Sequence, residues 1–327
     1  MRLRLVPQET KWDFFSRPTL WLGISGVLMV AALVSFFIQG LNFGIDFKGG
    51  TTIRTESAQE VVIADYREAL APLELGDISI TEVFDVTFEE DQNVTMIRIQ
   101  AQEGEEAVTA DMIRKVEAQL QTVAPDITFV SVESVGPKVS GELITTAVIA
   151  VLLAIGAVLV YIWLRFEWQF ALGAVAALVH DVVLTIGVFS ELQIRFDLAI
   201  IAALLTIVGY SLNDTVVVFD RVRENLRKYK KLELKEVLNL SINETLSRTV
   251  MTSFTTLLAL IALFVLGGDV IRGFVFAMIW GIVVGTYSSI FVASSLLMRL
   301  GVKRDWSKTE GGGGTGPGGT QFANIDA

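Results

Sequence analysis

Asp214 is the residue whose position most asks for a chemical explanation. It is the only charge in the apolar run 198–219, and six residues later Asp220, Arg221, Arg223 and Glu224 mark the water side of a membrane boundary. At the rise of a helix, that spacing puts the carboxyl roughly 9 Å inside the boundary. A carboxylate there costs about 2.5–3.5 kcal/mol on insertion scales, so a functional role is the default reading, with packing alone as the plain alternative.

Arg248 opens a later apolar run, and Thr252, Thr255 and Thr256 follow near its face at helical spacing. Such a stripe could form a polar seam with Asp214, either by pairing or through water. Equally, Arg248 could snorkel to the head groups. His180 and Asp181 sit side by side near the middle of another apolar run. Packing is the favoured reading for His180, and Asp181 is left open. Gly281 and Gly285 form a small-xxx-small pair suited to close helix contact. The run Phe47-Lys48-Gly49-Gly50-Thr51 has a phosphate-loop flavour but lacks the first glycine and the Gly-Lys-Ser/Thr order, so nucleotide binding is rejected. No spacing of Cys, His, Asp or Glu suggests a metal, no cofactor is implied, and nothing resembles a catalytic constellation.

The elements that carry these residues follow from composition. The chain has 327 residues, 52% of them hydrophobic, and a mean hydropathy of +0.56. Six uncharged or nearly uncharged stretches are each long enough, at roughly 20 residues, to cross a bilayer. We place them at 18–39, 141–164, 168–190, 197–219, 248–268 and 272–298. The class is therefore a mostly α membrane protein with a six-helix bundle. Arg2, Arg4, Lys11 and Arg17 precede the first span, and 220–247 is rich in Lys and Arg at its start. The positive-inside rule then puts residues 1–17, the 220–247 loop and the tail 299–327 in the cytoplasm, with the first span an uncleaved anchor. Within the loop, Leu234, Val237, Leu238 and Ile242 can share a face, which predicts an interfacial helix on the cytoplasmic surface beside anionic lipid. The Gly-rich tail reads as a flexible linker.

Residues 40–138 form a separate domain holding 19 acidic against 7 basic residues. The acidic surface argues against nucleic acid and anionic lipid as partners. Alternation predicts strands near 51–56, 78–84, 94–99 and 127–135, and helical spacing predicts helices at 58–70 and 109–123, the second capped by Thr109. The order β-α-β-β-α-β suggests a small α+β, ferredoxin-like sandwich on the periplasmic side.

Four motifs resemble known ones. Gly44-Ile-Asp46-Phe-Lys-Gly49-Gly50-Thr is similar to the signature turn of the SecD/SecF family. The stretch 211–221, which contains Asn213-Asp214-Thr215, and the stretch 243–253 resemble two further hallmarks, and Val179-His180-Asp181-Val182 also matches. The resemblance runs through residues 10–305. It implies an RND-like bundle in the bacterial inner membrane, paired with SecD in a twelve-helix unit and associated with the SecYEG channel and YajC. It implies that the proton gradient helps preproteins across on the periplasmic side, with both termini cytoplasmic. It also implies a proton path through Asp214 and Arg248, with Asn213 beside the first and Thr252 the nearest hydroxyl to the second. Lys48 departs from the signature, where a small polar residue is expected. An RND-like exporter of small molecules or lipids and an intramembrane aspartyl protease using Asp181 and Asp214 are the rival readings. The first would want larger porter domains, and the second Tyr-Asp and Gly-x-Gly-Asp contexts.

Overall fold

Apolar length decides the architecture. In a computed structural model, which describes residues 10–59, 62–83, 92–100 and 108–302, six helices are long and apolar enough to cross a membrane. They are α1 (Pro18–Gln39), α5 (Pro137–Arg165), α6 (Trp168–Glu191), α7 (Leu198–Lys228), α8 (Leu234–Leu266), and a last rod that starts as α9 (Asp269–Ser288). That rod passes through a π-helical turn, Ser289–Ala293, into α10 (Ser294–Leu300). The apolar stretches of α6 and of the α9 rod are mostly buried and that of α7 nearly half so, whereas those of α1, α5 and α8 are largely uncovered. The tail 303–327 and the first nine residues lie outside the described residues.

The small-xxx-small pair faces α7. A Cβ on Gly281 would run into Ile207, and one on Gly285 would stand 3.1 Å from the Ser211 Cβ. Side chains at either position would push α9 off α7, so the two backbones meet closely here.

Between α1 and α5, β2 (Gly50–Ser57), α3 (Ile63–Leu70), β3 (Ile78–Val83), β4 (Asn93–Gln100), α4 (Ala110–Leu120) and β5 (Thr128–Val135) form the expected sandwich. The strand order is β3-β4-β2-β5, with every pairing antiparallel. The inward positions Ile53, Ile80, Ile97 and Ile99 pack against Tyr66, Leu70, Val116 and Leu120 from the two helices. Thr109 caps α4 by accepting from the Met112 amide. The start of the helix expected at 58–70 is later than its periodicity implied, at Ile63.

Two sequence expectations are corrected at the opposite end of the bundle. The basic 220–247 segment is not a loop: α7 runs on to Lys228 and α8 begins at Leu234. Nor is there a separate interfacial helix. A capping box of Glu233 and Glu236 starts α8, and no Gly or Pro interrupts it until Gly267, so the amphipathic stretch and the fifth span are one helix. At 33 residues it is about 50 Å long, well beyond the ~30 Å of a hydrocarbon core. The apolar face was read correctly but its cover was not. Val237, Leu238 and Ile242 bury against Val222 and Leu226 of α7 and against Phe15, rather than against lipid.

Candidate functional site

Asp214 lies in mid-α7 with only 4% of its surface exposed, flanked on the same helix by buried Ser211 and Thr215. Its Oδ2 has no hydrogen-bond partner. Across the helix interface, Arg248 of α8 is near enough for its charge to act on Asp214, yet the two form no ion pair within 4.0 Å among the described residues. The hydroxyl beside Asp214 is that of Thr249, buried, near enough to act on the carboxyl, and with no partner inside 3.5 Å. Two adjacent buried polar groups with unused capacity are costly unless water or a proton completes them.

Two sequence candidates stand apart from this contact. Thr252 turns its hydroxyl back onto its own helix, donating to the carbonyls of Arg248 and Thr249 at 3.1 and 2.9 Å. Asn213 faces outward from α7 and is exposed, as is Arg248 on α8. Thr249 was missed because the threonine stripe was counted from Arg248 at spacing four, whereas the residue that enters the interface directly follows the arginine. A cleft of about 360 Å³ reaches Arg248 from the end of the bundle away from the sheet, lined by Arg165, Asp220, Arg221, Glu224 and Glu244. It gives the arginine a polar approach from that side.

His180 and Asp181 form a second, separate cluster. Both are fully buried, and the His180 Nδ1 lies 2.9 Å from the Asp181 Oδ1. The other carboxylate oxygen accepts from Ser211 at 2.6 Å and from Ser288 at 2.8 Å. The pair thus ties α6 to α7 and to the end of α9, where the π-helical turn begins. Asp181 makes no bond to Asp214, so the two carboxyls are not the shared-proton dyad that aspartyl hydrolysis requires. Ser211 and Ser288 were not singled out from the sequence, although the hydroxyl-rich run Thr286 to Ser295 was a visible signal.

The signature turn is where the sheet domain meets the bundle. Gly49 and Gly50 have φ of 75° and 135°, which side-chain-bearing residues rarely adopt, and this lets the chain reverse from α2 (Ile45–Lys48) into β2. The short strand β1 (Asn42–Phe43) pairs in parallel with β6 (Arg195–Phe196), just before α7. The Gly44 amide donates to the Phe196 carbonyl at 2.8 Å. Asp46 then accepts from the Leu198 amide at 3.0 Å, while Asp197 accepts from the Ile200 amide at 3.3 Å. Two carboxylates therefore satisfy two of the free amides at the start of the helix that carries Asp214, where the helix dipole also favours negative charge.

Two family patterns match the chain. Residues 115–303 fit the protein export membrane protein SecD/SecF C-terminal family, and residues 34–61 fit the SecD/SecF GG motif. The chain is 60% identical over 326 residues to a protein translocase subunit SecF of Cereibacter sphaeroides, covering 100% of this chain and 99% of that one. It is 58% identical to the corresponding subunit of Rhodobacter capsulatus, covering 94% and 95%. Among solved structures it resembles SecDF, a translocon-associated membrane protein from Thermus thermophilus, with a TM-score of 0.79 and 35% identity. That match covers 92% of this chain but 40% of the larger one. A super-membrane-facing form of SecDF matches with a TM-score of 0.67.

Proposed function

The chain belongs to the SecD/SecF family of protein-export membrane proteins and serves protein export as a SecF translocase subunit, and from that premise we propose how its membrane carboxyl is used. Asp214 exchanges a proton with the gradient, and its change of charge shifts α7 against Arg248 on α8. The observation that carries this reading is the buried carboxyl with an oxygen free, beside a guanidinium that is close but not paired. Burial favours the neutral form and the neighbouring cation the ionised form, so both states are within reach.

The movement has a rigid route to the sheet domain. The helix α7 is unbroken from its first amide, held by Asp46 of the signature turn, through Asp214 and beyond. A shift of α7 is therefore felt at the root of β2. A proton crossing the membrane contributes about 2.3 kcal/mol per 100 mV, and about 1.4 kcal/mol per unit of pH difference. Inverting an equilibrium from 1:99 to 99:1 takes about 5.5 kcal/mol. One proton biases the domain without throwing it fully, so more than one proton per stroke, or a loosely poised domain, is expected.

The partner reading rests on what the isolated chain leaves uncovered. Asn213 and Arg248 are exposed on membrane-spanning helices, which is costly against lipid. A second bundle, that of a SecD chain, covers this face and completes a twelve-helix unit at the SecYEG channel with YajC. Both termini are cytoplasmic, the sheet domain is periplasmic, and it acts there on preproteins as they emerge through the inner membrane.

The test is substitution at the carboxyl. Asp214→Asn keeps size and hydrogen bonding but fixes the site neutral. It is expected to co-purify with SecD and to lose the gradient-dependent part of export, measured in inverted or right-side-out vesicles with and without an uncoupler. Arg248→Ala and Thr249→Val are expected to fail in the same assay, and Thr252→Ala to lose little, since its hydroxyl serves its own helix. Undiminished gradient dependence in Asp214→Asn would make the carboxyl structural.

A further inference from the structure

The signature turn encloses a small cavity that the export reading leaves unused. It measures about 120 Å³ and is lined by Asn42, Gly44, Gly49 and Ser79 together with three cations, Lys48, Arg98 and Arg195. No carboxylate lines it, in a domain where acidic residues outnumber basic ones 19 to 7. The neighbouring cleft, about 710 Å³ between the sheet and the helix ends, is different: there Asp46, Glu82, Glu133 and Asp197 stand among the arginines and balance them. Arg98 and Arg195 line both spaces, but on the side of the small cavity they meet Lys48 and no carboxylate.

Its arginines also lack adequate acceptors. The one hydrogen bond from the Arg98 side chain among the described residues goes from Nη2 to the Met96 thioether, at 2.8 Å, and its Nε is buried without a partner. Arg195 reaches the same sulfur at 4.0 Å, its Nε has no hydrogen-bond partner, and its ion pair with Asp197 is loose, at 3.8 Å. A thioether is a weak acceptor, and guanidinium donors are best matched by a planar or tetrahedral oxyanion. Burial, and after it the like charge of Arg195, hold the Arg98 guanidinium down to about 10, and Asp197 offsets this only in part. Lys48 is exposed at the mouth and makes no hydrogen bond or ion pair among the described residues. A side chain at position 44 would crowd the Arg195 Nε, at 3.0 Å from its Cβ, so the glycine makes room for the guanidinium.

We propose that this cavity binds a phosphate oxyanion, gripped by Lys48, Arg98 and Arg195, as a phospholipid head group or free phosphate would supply. The depth suits a head group. Asn42 follows the end of α1 by three residues and Arg195 precedes the start of α7 by three, which places the cavity in the polar layer flanking the hydrocarbon core. A bound phosphate would rest on β1, β4 and β6 at once and so brace the sheet domain against the corner before α7.

The test uses the full chain, purified in detergent and stripped of lipid. Inorganic phosphate is titrated by 31P line broadening, and retention of phosphatidylglycerol against phosphatidylcholine is read by native mass spectrometry. Phosphate broadening and selective retention of phosphatidylglycerol are both expected. Arg98→Gln should weaken each about tenfold or more, and Lys48→Gln by a smaller factor. Because Lys48 is exposed and unbonded, the second variant stays informative should the first fail to fold. Arg114→Gln, on the exposed face of α4, controls for net charge and should change nothing. Retention of phosphatidylglycerol without phosphate binding assigns the site to the lipid, and the converse assigns it to the free ion. No binding of either, or equal losses in Arg114→Gln, would overturn the proposal.

Discussion

Removing the Asp46 carboxylate should loosen one amide of α7 and leave its neighbour alone. In Asp46→Ala the Leu198 N–H loses its acceptor, which for a capping bond costs about 1 kcal/mol. A negative charge also leaves the helix N-terminus, worth another ~0.3–1 kcal/mol. Against this, Asp46 and Asp197 repel each other, and burial already pushes the Asp197 carboxyl up, so removing one charge returns part of the loss. The net is about 1.4 kcal/mol, which is a factor of about ten in the local opening equilibrium. Hydrogen exchange should therefore speed up about tenfold at Leu198. The Ile200 amide, still held by Asp197, should keep its protection. Asp46→Asn retains an acceptor oxygen and should fall between. With the clamp released, movement of α7 no longer reaches β2, so gradient-dependent export should drop while Asp214 remains in place. Unchanged exchange at Leu198, or equal acceleration at Leu198 and Ile200, would refute a local clamp.

Three further outcomes follow from packing and charge. Gly285→Val inserts a branched side chain 3.1 Å from Ser211 and should cost about 1–3 kcal/mol, read as a lower melting temperature, with Gly285→Ala milder. Residues 40–138 expressed alone should melt cooperatively. There, the Ala58 amide and the Ser57 hydroxyl hold the Asp126 carboxyl below its usual 3.8. Its contribution is present above that pH and lost as pH falls through the lower, folded value. Asp126→Asn should flatten the acid limb of the domain's stability curve.

How far the sequence carried depended on whether the signal was local. Apolar length located the six spans, and alternation located the four strands of the sheet domain, because membrane insertion and a half-buried sheet each impose a simple rule on neighbouring residues; the two-residue strands β1 and β6 are too short to impose one and were not foreseen. The extent of α8 was not legible, since an amphipathic face looks the same whether lipid or another helix covers it. Here Val222 and Leu226 of α7 cover it. The site shows the same limit. Asp214 stood out because a charge in an apolar run is costly whatever surrounds it. That Thr249 rather than Thr252 is its neighbour depends on how α8 is rotated against α7, and that angle is set by contacts far apart in the chain. The Asp46 contact with Leu198 spans 152 positions, so no window along the sequence could reveal it.

The segment ahead of α1 gives the molecule an order of completion. Trp12 exchanges two hydrogen bonds with the Asn243 side chain, its amide donating to Oδ1 and its carbonyl accepting from Nδ2, both at 2.9 Å. The Phe14 amide donates to Asn239, and Phe15 is buried in the core between α7 and α8. Trp12 and Asn243 are 231 positions apart. At a synthesis rate of ~5–20 residues per second, that separation is roughly 10 to 50 s. The segment ahead of α1 therefore waits, unfastened, until the intervening 231 positions have been made. Its seat on α8 forms only once the helix bearing Arg248 has been made.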